Sequence, residues 1–171
     1  MVSITRVSES DSALLAQIAK TTYLESHGAS AEPADIDSYL TEKYSSAVLK
    51  DELSNPENVY YIIYHGKEAA GYSKIIFNLP YAGSPVENVA KLERLYLLKA
   101  YYNLKLGLEL FQFNIDLSKR NGQMGIWLYV WKGNARAVNF YTKTGFRIIG
   151  SHDFRISASH TNPNHQMFLE F

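Results

Sequence analysis

Hydrophobic and polar positions change period several times along the chain, and each change marks an element. Val2-Ser3-Ile4-Thr5-Arg6-Val7 alternates with period two, which predicts a half-buried strand. Ser8 to Asp11 offers helix-capping residues, and Leu14, Leu15, Ile18 and Ala19 then recur at helical spacing. His27 to Pro33 is a loop of mostly small residues. From Asp35, Ile36, Tyr39 and Leu40, followed by Tyr44, Val48, Leu49 and Leu53, predict two short helices. Ser54-Asn55-Pro56 ends the second, because proline disfavours helix at the residue before it.

The pattern then turns to strands. Val59 to Tyr64 is a run of β-formers, His65-Gly66-Lys67 is a tight turn, and Ala69 to Phe77 returns, so an antiparallel hairpin is expected. Pro80, Gly83 and Pro85 make Leu79 to Val89 a loop. Ala90 to Leu97 alternates again as a strand. Leu104, Gly107, Leu108, Phe111, Ile115 and Leu117 give Tyr101 to Arg120 one apolar helical face, closed by Asn121-Gly122. Ile126 to Val130 reads as a buried strand. Asn134 caps a helix that runs through Tyr141 and ends at Gly145. Phe146 to Ile149 opens the next strand, and Gln166 to Phe171 is the final one. This order is an α+β plan, a mixed sheet covered by helices on its faces.

Composition narrows the classes. A chain of 171 residues suits one domain, 1–171, and 46% hydrophobic residues with 13 tyrosines and 8 phenylalanines argue against disorder. Seventeen basic residues balance seventeen acidic ones, so no overall field favours nucleic acid or an anionic membrane. With no cysteine, disulfides, thiolate nucleophiles and cysteine-based zinc sites are excluded. The five histidines lack metal-ligand spacing and read as surface or loop residues, so no metal is expected. No apolar stretch reaches the ~20 residues that span a bilayer, and no secretory leader is visible. A cytoplasmic protein is the expectation.

One segment carries specific chemistry. From Ile126 to Phe146, a strand is followed by Asn134-x-x-Ala137-x-x-Phe140-Tyr141-x-x-x-Gly145-Phe146, which closely resembles the second half of the acetyl-CoA site of the GNAT N-acetyltransferase superfamily. The residue types suit that use. Asn134 can cap a helix while its amide reaches a ligand. Ala137 keeps the helix face low enough for a thin chain, and Tyr141, four residues on, shares that groove. The resemblance implies that Tyr141 donates a proton to the CoA thiolate, which suits a phenol protonated near neutral pH; the alternative is an amphipathic core tyrosine.

The resemblance implies more along the chain. Leu92 to Leu97 looks like the strand whose backbone pairs with pantetheine as an added strand would, through Leu95, Tyr96 and Leu97. Glu93 stands where many members carry a general base acting through water; the alternative is an ion pair with its neighbour Arg94. Tyr102-Asn103-Leu104-Lys105-Leu106-Gly107, with Leu108 after it, occupies the pyrophosphate loop, but departs from the usual pattern. Tyr102 stands in place of Gln or Arg, and Lys105 in place of the first glycine.

Tyr39-Leu40, Tyr44-Ser45, Glu52 to Pro56, Gly150 to Phe154 and Gln166 to Leu169 resemble bacterial polyamine N-acetyltransferases of the spermine/spermidine type. The implied fold is a mixed, mostly antiparallel central sheet with helices on both faces. The implied activity is transfer of acetyl from acetyl-CoA, as co-substrate, to a primary amine, a polyamine or another small amine. A polyamine would call for an acidic pocket, for which Glu32, Asp35 and Asp37 are available. Two alternatives stand beside this reading: a GNAT-fold binding or regulatory module that has lost catalysis through the altered loop, and an acyltransferase for a longer acyl-CoA. Exposed strand edges allow a homodimer.

Overall fold

The computed structural model describes residues 1–171. Seven strands form one sheet in the order β1-β2-β3-β4-β5-β7-β6. β1 is Val2–Arg6, β2 Val59–His65, β3 Glu68–Ile76, β4 Val89–Leu97, β5 Gly125–Trp131, β6 Arg147–Arg155 and β7 Thr161–Glu170. Every neighbouring pair is antiparallel except β4 with β5. The expected α+β plan, a mixed and mostly antiparallel sheet with helices on both faces, is the observed one.

Helices α1 (Ser12–His27), α2 (Pro33–Tyr44) and α3 (Ser46–Ser54) precede the hairpin. Pro33 opens α2, where its missing N–H costs nothing, and the Ser45 hydroxyl caps α3 by accepting from the Val48 N–H at 3.3 Å. These helices bury Leu15, Ile18, Tyr23, Tyr39 and Leu49 on one face of the sheet, against Tyr60, Ile62 and Tyr72. Helix α4 (Leu106–Arg120) and helix α5 (Ala135–Lys143) pack on the opposite face, where Leu110 meets Ile63 and Ala70, and Phe111 and Ile115 meet Ile75 and Ile126. Truncating a fully buried leucine such as Leu15 or Leu110 to alanine removes about 2–5 kcal/mol. No helix is long and apolar enough to cross a membrane.

Two boundaries differ from the sequence pattern. The helix expected from Tyr101 begins at Leu106 instead, because Asn103 and Lys105 adopt positive φ (68° and 62°) and break any helix running through them. Strand β7 begins at Thr161 rather than Gln166 and includes Pro163. Proline is tolerated there because its nitrogen lies on the side of β5, whose register with β7 has already ended at Trp131 opposite Asn164. No ladder hydrogen bond to β6 is lost, and Pro163 still pairs opposite Asp153.

The parallel pair β4/β5 is the feature that positions the site. Its register covers only Val89 to Lys91 against Gly125 to Trp127. Beyond that point both strands continue unpaired with each other, to Leu97 and Trp131, so the sheet splits open in the middle.

Candidate active site

The split exposes a run of backbone on β4. Leu98 N–H donates to Ala70 O on the β3 side at 2.9 Å. Alternation along an antiparallel strand therefore turns the N–H and C=O of Tyr96 and Arg94 towards β3, and those of Leu95 and Leu97 into the split. A bulge lies lower on the same strand: Lys74 faces Arg94 and Ile75 faces Leu92, so Glu93 is the extra residue. The bulge lets Glu93 and Arg94, neighbours in sequence, both line the same space.

That space is a cavity of about 430 Å³ that runs through the split from one sheet face to the other. Tyr23, His27, Tyr39 and Tyr44 from the first helices wall one end; Gly107, Asn134, Ala137 and Tyr141 wall the other. Of the residues singled out from the sequence, Glu93, Leu95, Tyr96, Leu97, Tyr102, Gly107, Asn134, Ala137 and Tyr141 line this single cavity. The side chains of Asn103, Leu104, Lys105, Leu106 and Leu108 do not. Leu106 is buried beneath the sheet with Ile63 and Leu110, and Leu104 and Leu108 are exposed.

What the loop offers is backbone. The N–H groups of Lys105, Leu106 and Gly107 donate to no acceptor within the protein, whereas Leu108 N–H is already taken by Lys105 O. Unpaired donors at the start of α4, with the positive end of the helix dipole behind them, form an anion-binding terminus. Lys105 holds the left-handed conformation that glycine usually supplies. At Gly107 an added Cβ would come to 3.3 Å of Leu97 Cδ1, so glycine keeps this approach open. Above the loop, the Arg136 guanidinium lies 4.0 Å from the centre of the Tyr102 ring. Arg136, from the first turn of α5, brings a cation to the loop where Tyr102 itself has none.

Asn134 caps α5 as its position predicts, its Oδ1 accepting from Ala137 N–H at 3.1 Å. Tyr141 is 7% exposed, and burial raises its pKa above the ordinary phenol value. Its hydroxyl has no hydrogen-bond partner in the protein and opens on the cavity. The phenol is thus protonated, unengaged and able to donate.

Glu93 is not paired with Arg94. Lys74 Nζ stands beside Glu93 Oε2, in charge contact but off the hydrogen-bond direction, and Lys91 Nζ lies 3.4 Å from Oε1. Burial pushes the Glu93 pKa up, but Lys74 and then Lys91 and Arg94 outweigh it and hold the carboxyl below its usual range. Arg94 pairs instead with Glu52, at 3.5 Å, and with the Tyr60 hydroxyl, and its guanidinium lies 4.7 Å from the Tyr44 ring centre. The carboxylates Glu32, Asp35 and Asp37 do not line the cavity.

Several lining residues had no sequence signal of their own. His27 was expected at the surface. It is instead half-buried in the cavity wall, stacked on Tyr23 with ring centres 4.7 Å apart, and burial lowers its pKa to about 4. Its spacing from Tyr23, one helical turn, was the available clue. His152 stacks on Tyr129 at 4.7 Å and lies outside the cavity. Lys74, Arg136 and Glu52 reach the site from three different elements.

Comparison with known proteins identifies the family. Residues 17–146 match the model of the acetyltransferase (GNAT) family. An uncharacterized N-acetyltransferase of Lactobacillus delbrueckii subsp. lactis is 29% identical over 153 residues, 90% of this chain and 88% of the relative. A spermidine N(1)-acetyltransferase of Thermoplasma acidophilum is 26% identical over 147 residues, 86% of this chain and 89% of the relative. Among solved structures, the PaiA N-acetyltransferase of Thermoplasma acidophilum in complex with coenzyme A superposes with a TM-score of 0.80 at 23% identity, covering 100% of this chain and 99% of that one.

Proposed function

The chain belongs to the acetyltransferase (GNAT) family, and from that premise we propose that its acceptor is the primary amine of a small molecule and that Tyr141 and Glu93 handle the protons of the transfer. It is an N-acetyltransferase whose co-substrate is acetyl-CoA. Acetyl-CoA supplies an activated acyl thioester. The observation that carries the reading is the open edge of β4, ending beside the unpaired N–H groups of the α4 terminus, within one cavity that also holds Tyr141.

The residues present suit such a ligand. Leu95 and Leu97 offer free backbone donors and acceptors along one line, as an extended amide chain requires. Lys105, Leu106 and Gly107 offer N–H groups to a diphosphate, and Arg136 adds a charge. Ala137 and Asn134 form the low wall of the groove. Tyr96 contributes its ring to the cavity, but its backbone groups are committed to β3.

Tyr141, protonated and unengaged, donates to the departing thiolate. The Leu97 N–H, without a strand partner, is the donor for the carbonyl oxygen as charge develops there. Glu93 is ionised, so it accepts a hydrogen bond from the attacking amine, directly or through water. Its depressed pKa makes it a weak base, so it passes the proton lost by the amine nitrogen on to solvent water, and solvent returns a proton to the Tyr141 phenolate after the thiolate has left. The spermidine-acetylating relative supports an amine acceptor.

The test is to incubate the protein with acetyl-CoA and a panel of primary amines, including spermidine, and read thiol release together with the mass of the N-acetylated product. Acetyl-CoA-dependent product from at least one amine is expected. Tight binding of acetyl-CoA with no product from any amine would establish the non-catalytic alternative.

A further inference from the structure

We propose that the acceptor carries a carboxylate on the same small molecule as its reacting amine, and that Arg94 reads that carboxylate. The proposal rests on the reading of this cavity as the site of an amine acceptor, and it concerns the charge balance at the end opposite Tyr141.

Three cations, Lys74, Lys91 and Arg94, meet two carboxylates, Glu52 and Glu93, with side-chain exposures of only 6% to 28%. The cluster is therefore one positive charge in excess in a place poorly reached by water. Lys43 adds a further cation to the lining, and its partner Glu42 lies outside the cavity. Burying an uncompensated charge is costly, and an anion that enters with the substrate removes the imbalance. A second or third ammonium group, as in a polyamine, would deepen it.

The hydrogen-bonding capacity points to the same atom group. Glu52 Oε2 already accepts from the Tyr60 hydroxyl and from Lys74 Nζ at 3.0 Å, so Arg94 reaches it only through Nη1 at 3.5 Å. Arg94 Nη1 also donates to the Tyr60 oxygen at 2.5 Å. Nε and Nη2 donate to nothing in the protein, yet they are not among the sealed unpaired atoms, so they open on the cavity. The Tyr44 ring, with its centre 4.7 Å from the guanidinium carbon, limits where the guanidinium can move. An arginine with its Nε and Nη2 edge free, beside an aromatic ring, matches the two oxygens of a carboxylate. The acceptor class is thus an amino carboxylate.

The experiment compares three amines of matched length: a simple alkylamine, the ω-amino carboxylate and a diamine. Each is measured with the wild-type protein for kcat/KM and, in the presence of CoA, for calorimetric affinity. The amino carboxylate should exceed both others by on the order of ten- to a hundred-fold in affinity. Arg94→Gln should abolish that preference while leaving acetyl-CoA affinity within about threefold, and Arg94→Lys should restore only part of it. Equal or better binding of the alkylamine or the diamine by the wild-type protein overturns the proposal, and that comparison needs no variant to fold. Turnover is a separate readout: if no amine releases CoA, the transfer reading fails, while the affinity order still decides whether a carboxylate is recognised.

Discussion

The Arg136 guanidinium lies over the Tyr102 ring at 4.0 Å from its centre, so a cation reaches the α4 terminus from a different helix than the one that begins there. The resemblance leads one to expect a charge from the loop itself; here the cation beside the loop belongs to the first turn of α5, and its part in binding the diphosphate is our proposal. Tyr102 acts as the platform that orients it.

Arg136→Ala should therefore weaken acetyl-CoA binding by roughly tenfold, the scale of one charge-assisted hydrogen bond. The turnover number at saturating acetyl-CoA should change little, because the interaction serves binding alone. Calorimetric titration with acetyl-CoA and with S-acetylpantetheine, which lacks the diphosphate, separates the effects. Equal losses for both ligands would remove Arg136 from the diphosphate.

Lys105 holds φ at 62°, a conformation that costs a non-glycine residue about 1–2 kcal/mol. Lys105→Gly relieves that strain but adds freedom to the unfolded chain, so a net gain of roughly 0.5–1 kcal/mol is expected. For a chain of this size the melting temperature should rise by roughly 1–4 °C, with acetyl-CoA still bound, since the donors are backbone. A fall in melting temperature would mean that the lysine side chain stabilises the loop.

His27 gives stability a pH dependence. Its folded pKa, lowered to about 4 by burial, lies below the ordinary 6.5, so the unfolded chain binds the proton first as pH falls. The contribution is fully present above pH 6.5 and is lost progressively down to pH 4, by roughly 2 kcal/mol at pH 5. Glu52 and Glu93, whose pKa values are held low, add losses only below the ordinary carboxylate range. Chemical denaturation at pH 7 and pH 5 should show the difference in the wild-type protein. His27→Phe keeps the stacking on Tyr23 and should flatten it. An unchanged slope in that variant would assign the acid sensitivity to other groups.

Much of the fold was legible because local rules govern it. Asn134 caps α5 as its position implies, and Tyr141 falls four residues beyond Ala137 on the same wall. The two strands of the hairpin and the buried β5 follow from their β-former runs. The limits of legibility are equally physical. Glu93 and Arg94 look like an ion pair in sequence, but the bulge re-aims Glu93, and each finds a partner on another element. The departures at Tyr102 and Lys105 look like losses until Arg136, distant in sequence, and the left-handed backbone at Lys105 are seen together. His27 gives no motif, because its role comes from burial beside Tyr23 and Trp131 rather than from spacing to a ligand partner. The charge cluster at the acceptor end takes its cations from β3 and β4 and one of its two carboxylates from α3, and balanced whole-chain charge conceals its excess.

The central claim is that this cavity performs acetyl transfer with Tyr141 as the proton donor to the leaving thiolate. The most direct measurement compares wild type and Tyr141→Phe, recording kcat at saturating acetyl-CoA and amine alongside acetyl-CoA affinity. Removing only the unpaired hydroxyl should lower kcat by about 10²-fold or more, while affinity for acetyl-CoA stays within about threefold. Undiminished kcat in Tyr141→Phe would contradict the account.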